Sequence, residues 1–547
     1  MSPTRPAKPP VRGTKTGASA RDGKEGFSGR PAIAAVVIRI DGATLTIEGV
    51  VAVARGNEPV SLAPRAREAI ERSRRAVERI VGREELAYGI KTGFGQLESV
   101  AIAPSEVEEL QLNLVRSHAV GVGPPLTREQ VRGAMLLRAN ALAKGYSGVR
   151  LEVVQALLDC LNHGVHPVVP AKGSLGASGD LAPLAHLALV LVGEGKAEVD
   201  GRILSGQAAL RRRRLRPLRL ESKEGLALIN GTSVMAALAC LAVRDSRALL
   251  KDAQVAASMS FEALRASPVP YDERLAQLKP LPGSIAVAAN LRALLRGSEV
   301  IPSHAGPHKV QDAYTLRCIP QVLGACGEAI DYVGRVTDIE INAATDNPIV
   351  LPEGEALSGG TFHAQSLAMA LDFLALALCV VAGFAERRIA RLTDAHSSGL
   401  PPFLTERSGL HSGMMVVQYT AAALASEAKG LAHPASADSL PTSAGQEDWV
   451  SMGQTAALKG LQTLDNARHA VALEYLAGGQ GLEFVRPLRP GLGPRAAYEV
   501  LRGSVPKLDR DRTLTPDVYK ILDLMARGGL VEAAERAAGR LQDVTRP

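Results

Sequence analysis

Apolar residues along the chain are concentrated in long segments, in which they occupy most positions of a helical surface. These segments cover residues 226–266, 364–391, 409–431 and 446–477. A helix that is apolar on most of its faces is buried among other helices. The pattern therefore predicts a mainly α protein whose long central helices form a bundle.

Residues 34–230 have a more mixed pattern. Two short apolar segments, 34–40 and 44–47, lie on either side of an Asp-Gly pair, and this arrangement predicts a β-hairpin. We therefore expect a smaller mixed N-terminal lobe over residues 34–230, followed by a long-helix body over residues 231–547.

Local sequence signals mark three helix starts in the N-terminal lobe. Pro64 is typical of the first position of a helix. Ser105 with Glu108, and Thr127 with Gln130, have the spacing of a capping box, in which two side chains satisfy backbone N–H groups reciprocally. These signals predict helices that begin close to the proline, the serine and the threonine.

The amino-acid composition agrees with a helical core, and the distribution of charge adds information only about the surface. The 547 residues are 46% hydrophobic but only 3% aromatic, so the core is built from Ala, Leu and Val. Much of the net charge of +7 lies in residues 1–30 and in an arginine cluster over residues 211–219, which has no interleaved aromatic residues. We predict a disordered basic tail over residues 1–33 and no nucleic-acid partner. A non-catalytic basic protein that binds nucleic acid through this tail and cluster is the alternative from another class.

The cysteines and the N-terminus indicate a cytoplasmic protein. Five scattered cysteines without a CxxC pair are typical of reduced thiols. Residues 1–30 lack the apolar segment of a signal peptide. The most apolar segment, residues 374–384, is too short to span a bilayer, so we expect a core helix and no membrane partner.

Residues 173–180, GSLGASGD, are the most informative segment. They are too small and glycine-rich for a packed element, and the apolar residues 181–192 after them predict a buried helix, which the aspartate at the end of the loop can cap. If Ala177, Ser178 and Gly179 are bent tightly, the nitrogen of Gly179 can attack the carbonyl of Ala177. Loss of two waters, one of them from the Ser178 side chain, then leaves an alkylidene imidazolone ring.

This segment resembles the one that forms the 4-methylideneimidazole-5-one (MIO) group in the histidine and aromatic amino acid ammonia-lyases. The resemblance is nearest to the histidine-type members of that family. It implies an MIO group made from Ala177, Ser178 and Gly179, with Ala177 linked to Gly179 and Ser178 dehydrated. It also implies the helical fold of the fumarase/aspartase superfamily.

Three further segments of the N-terminal lobe are similar to this family. Residues 88–95, YGIKTGFG, resemble its tyrosine loop, in which Tyr88 supplies a phenol for proton transfer. His118, predicted at a helix end, matches a residue that contacts the substrate ring and favours a polar ring. Asn230 matches a residue that hydrogen-bonds the MIO ring or the substrate carboxylate.

Residues 311–317, QDAYTLR, carry a polar set of side chains. On a helix, Gln311, Tyr314 and Arg317 lie within one face, and an arginine beside a phenol and an amide can hold and polarise an amino acid. The resemblance assigns this function to the same three residues.

Three later segments complete the resemblance. Phe362 matches a phenylalanine that packs beside the MIO group, and Met415 matches a ring-recognition residue. Glu447 matches a carboxylate that can hydrogen-bond an imidazole N–H or remove a proton. The chain departs from the usual Asn, Gln, Asn, Glu and His of the family at Lys91, Ser233, Thr361, Gln365 and Trp449.

The resemblance implies a carbon–nitrogen lyase that eliminates ammonia from L-histidine and gives trans-urocanate. His118, Met415 and Glu447 agree with this substrate. Thr361, Gln365 and Trp449 disagree with it. A tyrosine ammonia-lyase or 2,3-aminomutase on the same scaffold therefore stays open as the alternative. The resemblance also implies a homotetramer whose active sites draw residues from three chains.

No external cofactor and no metal are expected. His304 with His308, and His163 with His166, have spacings that a metal could use. No cysteine or acidic third ligand lies near either pair, and a zinc site requires three or four protein ligands.

Overall fold

Helices dominate the computed structural model, which describes residues 37–82, 102–304 and 310–544. The α-helices within these residues are α1 (Ile47–Gly56), α2 (Pro64–Val81), α3 (Val107–His118), α4 (Arg128–Ala143), α5 (Leu151–Asn162), α6 (Leu181–Leu191), α7 (Gly206–Arg212), α8 (Glu224–Ile229), α9 (Ser233–Ala263), α10 (Glu273–Leu278), α11 (Pro282–Leu294), α12 (Val300–Ser303), α13 (Tyr314–Arg317), α14 (Ile319–Glu340), α15 (Gln365–Thr393), α16 (Ala395–Ser398), α17 (Met415–Leu431), α18 (Gly453–Gly481), α19 (Leu492–Ser504), α20 (Thr515–Ala526) and α21 (Gly529–Ala538). Short 3₁₀ helices cover Pro104–Glu106, Val269–Tyr271, Pro402–Leu404, Ser443–Gly445 and Leu482–Val485. The prediction of a mainly α protein is confirmed.

The strands are short and form four small sheets. They are β1 (Ile38–Ile40), β2 (Val60–Leu62), β3 (Val122–Pro125), β4 (His166–Pro167), β5 (Pro170–Lys172), β6 (Lys196–Val199), β7 (Arg202–Ser205), β8 (Ile349–Val350) and β9 (Ala356–Leu357). β1 pairs with β2 in parallel, whereas β3–β5, β4–β6–β7 and β8–β9 are antiparallel. Most of these strands precede α7, but the division into a mixed lobe and a helical body stays a prediction. The predicted tail over residues 1–33 lies outside the described residues.

The centre of the molecule is a bundle in which α15 packs along α18 and both pack against α9. Small residues allow this close approach. A Cβ atom added at Gly478 of α18 would lie 3.3 Å from the Cβ of Met259 and from the backbone nitrogen of Ser260, both in α9. The low aromatic content of the chain therefore matches closely spaced helices with small interdigitating side chains.

One fully buried ion pair joins the three central helices. The guanidinium of Arg388 in α15 donates to the carboxylate of Glu474 in α18 through Nε (2.5 Å) and Nη2 (2.7 Å). Ser260 of α9 donates its hydroxyl to the same carboxylate at 2.9 Å. The bidentate geometry and the added hydroxyl compensate the cost of burying both charges.

The predicted hairpin after residue 34 is wrong within the described residues. β1 pairs with β2 rather than with residues 44–47, and Ile47 begins α1. The carboxylate of Asp41 accepts from the backbone N–H groups of Ala43 and Thr44, and the Thr46 hydroxyl accepts from Gly49. The side chains after β1 thus satisfy a turn and a helix start, which an alternating pattern alone does not distinguish from a hairpin.

The three predicted helix starts have different outcomes. α2 begins at Pro64, and Thr127 with Gln130 forms the predicted capping box before α4. The capping box at Ser105 is wrong. A 3₁₀ turn over Pro104–Glu106 precedes α3, and no side chain caps the helix.

Helix α15 is the one described helix that is long and apolar enough to cross a membrane by length and composition, with a mean hydropathy of 2.4. However, 61% of its most apolar segment is buried inside the molecule. It packs against α14, α17 and α18. The apolar residues 374–384 therefore lie in a helix of the bundle core, as predicted.

A buried carboxyl group between α9 and α18 makes stability depend on pH. Asp252 accepts from the Tyr475 hydroxyl at 3.1 Å, and burial raises the pKa of Asp252 from 3.8 to about 7. The folded chain therefore holds this proton more tightly than the unfolded chain does. The stabilisation is complete below the unfolded pKa and is lost as the pH rises through the folded pKa.

We expect Asp252→Asn to remove this part of the pH dependence. Asparagine still accepts from Tyr475 but does not ionise. Between about pH 4 and pH 7, the free energy of unfolding of the wild type falls relative to the variant by about 1.4 kcal/mol per pH unit. Urea unfolding of both proteins at the two ends of this window measures the difference. Parallel pH dependences would contradict the assignment.

Candidate active site

The small-residue loop of residues 173–180 connects β5 to α6. It is bent tightly against the turn between α8 and α9. Gly179 has a φ of +78°, and a Cβ atom added there would lie 2.2 Å from the carbonyl oxygen of Gly231. Only glycine fits this position, because any side chain would overlap the neighbouring backbone.

Backbone hydrogen bonds join the loop to this turn. The N–H of Gly231 donates to the carbonyl of Ser178 at 3.2 Å, and the N–H of Asp180 donates to the carbonyl of Gly231 at 2.7 Å. Within the loop, the Ser174 hydroxyl accepts from the N–H of Gly176 (3.1 Å) and donates to the carbonyl of Gly179 (3.0 Å). The three consecutive small residues are therefore held in one bent conformation.

Asp180 caps a different helix from the predicted one. It lies at the N-terminus of α6, but its side chain makes no capping bond there. Its carboxylate accepts instead from the N–H groups of Val234 (2.8 Å) and Met235 (3.0 Å), at the start of α9. Burial raises the pKa of Asp180 from 3.8 to about 7, although these two N–H groups oppose the shift. The residue thus anchors the loop to the longest helix of the bundle.

Glu447 is in direct contact with Ser178. The Ser178 hydroxyl donates to Oε1 of Glu447 at 3.2 Å, and the Thr442 hydroxyl donates to Oε2 at 2.6 Å. The backbones of Thr442 and Glu447 also form an isolated antiparallel bridge. Both carboxylate oxygens are therefore oriented by hydroxyl groups, and one of these groups is the hydroxyl of Ser178.

The segment that carries Glu447 is not helical. The structure places the start of α18 at Gly453, whereas the apolar pattern predicts a helix from residue 446. The N–H of Met452 donates to the carbonyl of Leu175 at 2.8 Å, and the Ser451 hydroxyl donates to the carbonyl of Gly176 at 3.3 Å. These contacts with the loop satisfy backbone groups in place of a further helical turn.

The Phe362 segment lies beside the same site. Phe362 is half-buried just before α15, and its neighbour Thr361 donates a hydroxyl bond to the carbonyl of Asp346 at 2.8 Å. On the other side, the indole N–H of Trp449 donates to Oε1 of Gln365 at 3.2 Å. Two of the residues that depart from the family pattern thus pair with each other.

Asn230 is buried at the end of α8, next to the loop. Its Nδ2 donates to Oδ1 of Asp346 (3.2 Å) and to the carbonyl of Asn347 (3.0 Å). Asp346 also accepts from Nζ of Lys223 at 2.8 Å, in an ion pair with almost no exposure. The sequence prediction includes Asn230 but misses Asp346 and Lys223 as its partners.

His118 ends α3, as predicted. Its Nδ1 lies 2.8 Å from the carbonyl of Leu114, which orients the ring at the helix end. The chain then enters β3, which pairs with β5 immediately before the loop. His118 therefore precedes a strand that is directly connected to the loop.

The other described residues of the predicted site show no polar contact with the loop. Among the described residues, no hydrogen bond or ion pair joins Gln311, Tyr314, Arg317 or Met415 to residues 173–180. Met415 is the first residue of α17. Tyr88 and its loop lie outside the described residues.

The helical face predicted for residues 311–317 is wrong. Ala313 is extended (φ −62°, ψ 155°), so the helical turn begins only at Tyr314 and does not include Gln311. Tyr314 is 69% exposed, and the Arg317 guanidinium lies 4.6 Å from the centre of its ring. The exposed Tyr314 and the half-buried Arg317 thus form one pair, and Gln311 lies on the preceding segment.

No group of three or more His, Cys, Asp or Glu side chains in the described ranges is arranged to hold a metal ion. The reactive groups of the site are instead a serine hydroxyl, a carboxylate and several fixed backbone N–H groups. Such groups can perform proton transfer and stabilise developing negative charge.

Comparison with known proteins defines the class. The family and the relatives that match this chain show that it is a carbon–nitrogen lyase. The family described as aromatic amino acid lyase matches residues 45–503, and the chain belongs to this family.

Individual relatives are similar over nearly their whole length. A histidine ammonia-lyase from Gloeobacter violaceus is 53% identical over 504 residues, which cover 92% of this chain and 98% of that protein. Another from Alkaliphilus oremlandii is 50% identical over 501 residues, covering 91% and 99%.

Solved structures show the same fold. The crystal structure of histidine ammonia-lyase from Trypanosoma cruzi has a TM-score of 0.86 and 39% identity, and covers 94% of this chain and 98% of its own. That of tyrosine aminomutase from Streptomyces globisporus has a TM-score of 0.88 and 37% identity, covering 93% and 100%. The fold alone thus does not separate the two activities.

Proposed function

We propose that the protein eliminates ammonia from L-histidine without oxidation and releases trans-urocanate. The relatives named histidine ammonia-lyase, at about half identity over nearly full length, support this substrate. The observation that carries the proposal is the contact between the Ser178 hydroxyl and the Glu447 carboxylate, because the carboxylate proposed to bind the imidazole contacts the bent loop directly.

The residues of the loop fit an MIO group made from Ala177, Ser178 and Gly179. Gly179 has no room for a side chain, and the loop backbone is held by Ser174 and Gly231. Once formed, this group supplies an electrophile that makes ammonia a better leaving group. No external cofactor and no metal are required for the reaction.

Glu447 is proposed as the residue that hydrogen-bonds the imidazole or removes the proton of the substrate. Thr442 holds one carboxylate oxygen, so the other is directed at the loop. Phe362 packs beside the loop, and His118 and Met415 contact the substrate ring. Histidine and glutamate suit a ring that both donates and accepts hydrogen bonds.

The substrate's carboxylate and amino group require further polar residues. Arg317 is proposed to clamp the carboxylate, with Gln311 and Tyr314 beside it and Asn230 at the loop. Tyr88 is proposed to take part in proton transfer.

A homotetramer whose active sites combine residues from three chains explains why Arg317 has no described polar contact with Ser178 in one chain. An apolar stripe on the central helix α15 supports such an assembly, because its side chains are exposed at helical spacing. The stripe consists of Met369, Phe373, Leu376 and Val380. We place this assembly in the cytoplasm, without a nucleic-acid or membrane partner.

A tyrosine ammonia-lyase or 2,3-aminomutase activity is the second candidate. The hydrogen bond between Trp449 and Gln365 favours it, because this pair replaces the histidine and glutamate usual for histidine-type members. The structural match to a tyrosine aminomutase agrees with this candidate.

A turnover assay with histidine, tyrosine and phenylalanine separates the two candidates. We expect ammonia and urocanate from histidine, and at least tenfold lower kcat/KM with the other two amino acids. Product chromatography distinguishes an unsaturated acid from a β-amino acid. Turnover of tyrosine alone would overturn the assignment of the substrate.

A further inference from the structure

Arg138 is a fully buried cation beside the proposed active site. It lies within α4, and its Nη1 donates to the backbone carbonyl of Asn230. The approach is close, because a Cβ atom added at Gly231 would lie 2.3 Å from this same Nη1. Arg138 therefore contacts the Asn230–Gly231 peptide and requires the glycine that follows.

The geometry of a peptide bond transmits this contact to the loop. In a trans peptide, the C=O of one residue and the N–H of the next point in opposite directions. With the Asn230 carbonyl held by Arg138, the N–H of Gly231 points away from the guanidinium. It donates there to the carbonyl of Ser178 at 3.2 Å.

A second set of contacts fixes the side chain of Asn230. Both acceptors of its Nδ2, the Asp346 carboxylate and the Asn347 carbonyl, lie on one side of the amide. Lys223 holds Asp346 in place at 2.8 Å. The amide is therefore oriented with Oδ1 directed elsewhere, and this buried oxygen has no hydrogen-bond partner among the described residues.

The donors of Arg138 argue against a purely structural function. Its Nε and Nη2 are buried, and within the part of the chain that the structure describes they have no hydrogen-bond partner. Burial lowers its pKa, although Asp346 and Asp180 oppose the shift. Leaving buried donors unpaired is unfavourable, so an apolar side chain of the same volume would suit stability better.

We propose that Arg138 is a positioning residue for the reaction, because it aims the Gly231 N–H at the Ser178 carbonyl by holding the Asn230 carbonyl. Lys223 and Asp346 complete the arrangement by leaving Oδ1 of Asn230 as an acceptor for an N–H group of the substrate. This inference rests on the proposed function. The Ser178 carbonyl oxygen that Gly231 contacts would become the carbonyl oxygen of the MIO ring, where a fixed donor stabilises developing negative charge.

Arg132 offers a matched control on the same helix. It is 2% exposed, and it donates to the carbonyls of Val53 (2.9 Å) and Leu161 (3.0 Å), away from the loop. Arg132→Met and Arg138→Met each remove one buried guanidinium from α4. A general effect of such a loss on the fold is therefore common to both variants.

We expect Arg138→Met to lower kcat for histidine by about 10²-fold, with KM changed less than about threefold, because a donor that acts in the transition state is misplaced. Arg132→Met is expected to keep kcat within about threefold of the wild type. Arg138→Lys, which keeps a cation with N–H donors, recovers about tenfold of the lost kcat.

A readout independent of turnover is the near-ultraviolet band of the ring, measured as the difference between each protein and Ser178→Ala. Loss of a hydrogen bond to a conjugated carbonyl moves this band to shorter wavelength, so we expect a shift in Arg138→Met and none in Arg132→Met. If Arg138→Met does not fold, Arg138→Lys and Arg138→Gln provide the same two measurements.

Folded Arg138 variants that have the kcat of the wild type and an unshifted ring band would overturn the inference. Equal losses in the Arg132 and Arg138 variants would also overturn it, because they would indicate a structural function. Failure of the proposed function is recognised separately, as a wild-type protein that has neither the ring band nor turnover.

Discussion

Ser178→Ala is expected to lower kcat for histidine by at least about 10³-fold, the size of loss typical when a covalent catalytic group is removed. Alanine has no hydroxyl to lose as water, so the exocyclic carbon of the electrophile cannot form. Among the described residues, the substitution removes one hydrogen bond, to Glu447, and leaves the loop bonds of Ser174 and Gly231 in place. Steady-state turnover of purified protein measures the effect.

Ser258→Ala is the matched control for this experiment. Ser258 is also buried, but its hydroxyl donates only to the carbonyl of Val255 within α9, at 2.7 Å. We expect its kcat to stay within about twofold of the wild type, because this hydroxyl has no contact with the site. Substantial activity of Ser178→Ala would show that the serine is not the source of the electrophile.

Glu447→Gln is expected to lower kcat/KM by about 10²–10⁴-fold. Glutamine is isosteric, but its one carbonyl oxygen can replace only one of the two carboxylate oxygens that the Ser178 and Thr442 hydroxyls contact. It cannot accept a proton, however, and its NH₂ group replaces the second acceptor that the Thr442 hydroxyl contacts at 2.6 Å. The rate measured with histidine deuterated at the β-carbon reports whether proton removal has become slower.

Gln446→Glu provides a control for charge in the same segment. Gln446 is exposed and precedes Glu447, and no described side-chain hydrogen bond joins it to the loop. We expect wild-type kcat/KM and an unchanged isotope effect. A Glu447→Gln variant with full activity would exclude Glu447 as the base and as the imidazole partner.

The fold was predictable where the pattern depends on buried helical faces. The long apolar segments correspond to α9, α15, α17 and α18, because a helix buried on most sides has few polar positions to blur the signal. The errors occur where nearby side chains, rather than a neighbouring strand, accept the hydrogen bonds of backbone N–H groups. Asp41 and Thr46 turn the chain after β1 into a helix instead of a hairpin, and neither bond changes the hydrophobic pattern.

The site was predictable where residues are adjacent in the sequence. The segment of residues 173–180 already shows which backbone atoms can react, and the structure adds the contacts that bend it. Residues that contact the site from distant parts of the chain are only weakly marked in the sequence pattern. Arg138 is a charged residue inside a buried apolar helix, and this is the one feature by which the sequence marks it. Asp346, by contrast, is recognised only through its contacts with Lys223 and Asn230.

The intact mass of the purified protein, followed by the mass of the peptide that contains residues 173–180, tests the central claim most directly. The wild type is expected to be lighter than its sequence by two water molecules, with the whole deficit in that peptide. Ser178→Ala, which lacks the hydroxyl, is expected to lack the loss that produces the exocyclic carbon. A wild-type peptide with the full mass of its sequence would contradict the account.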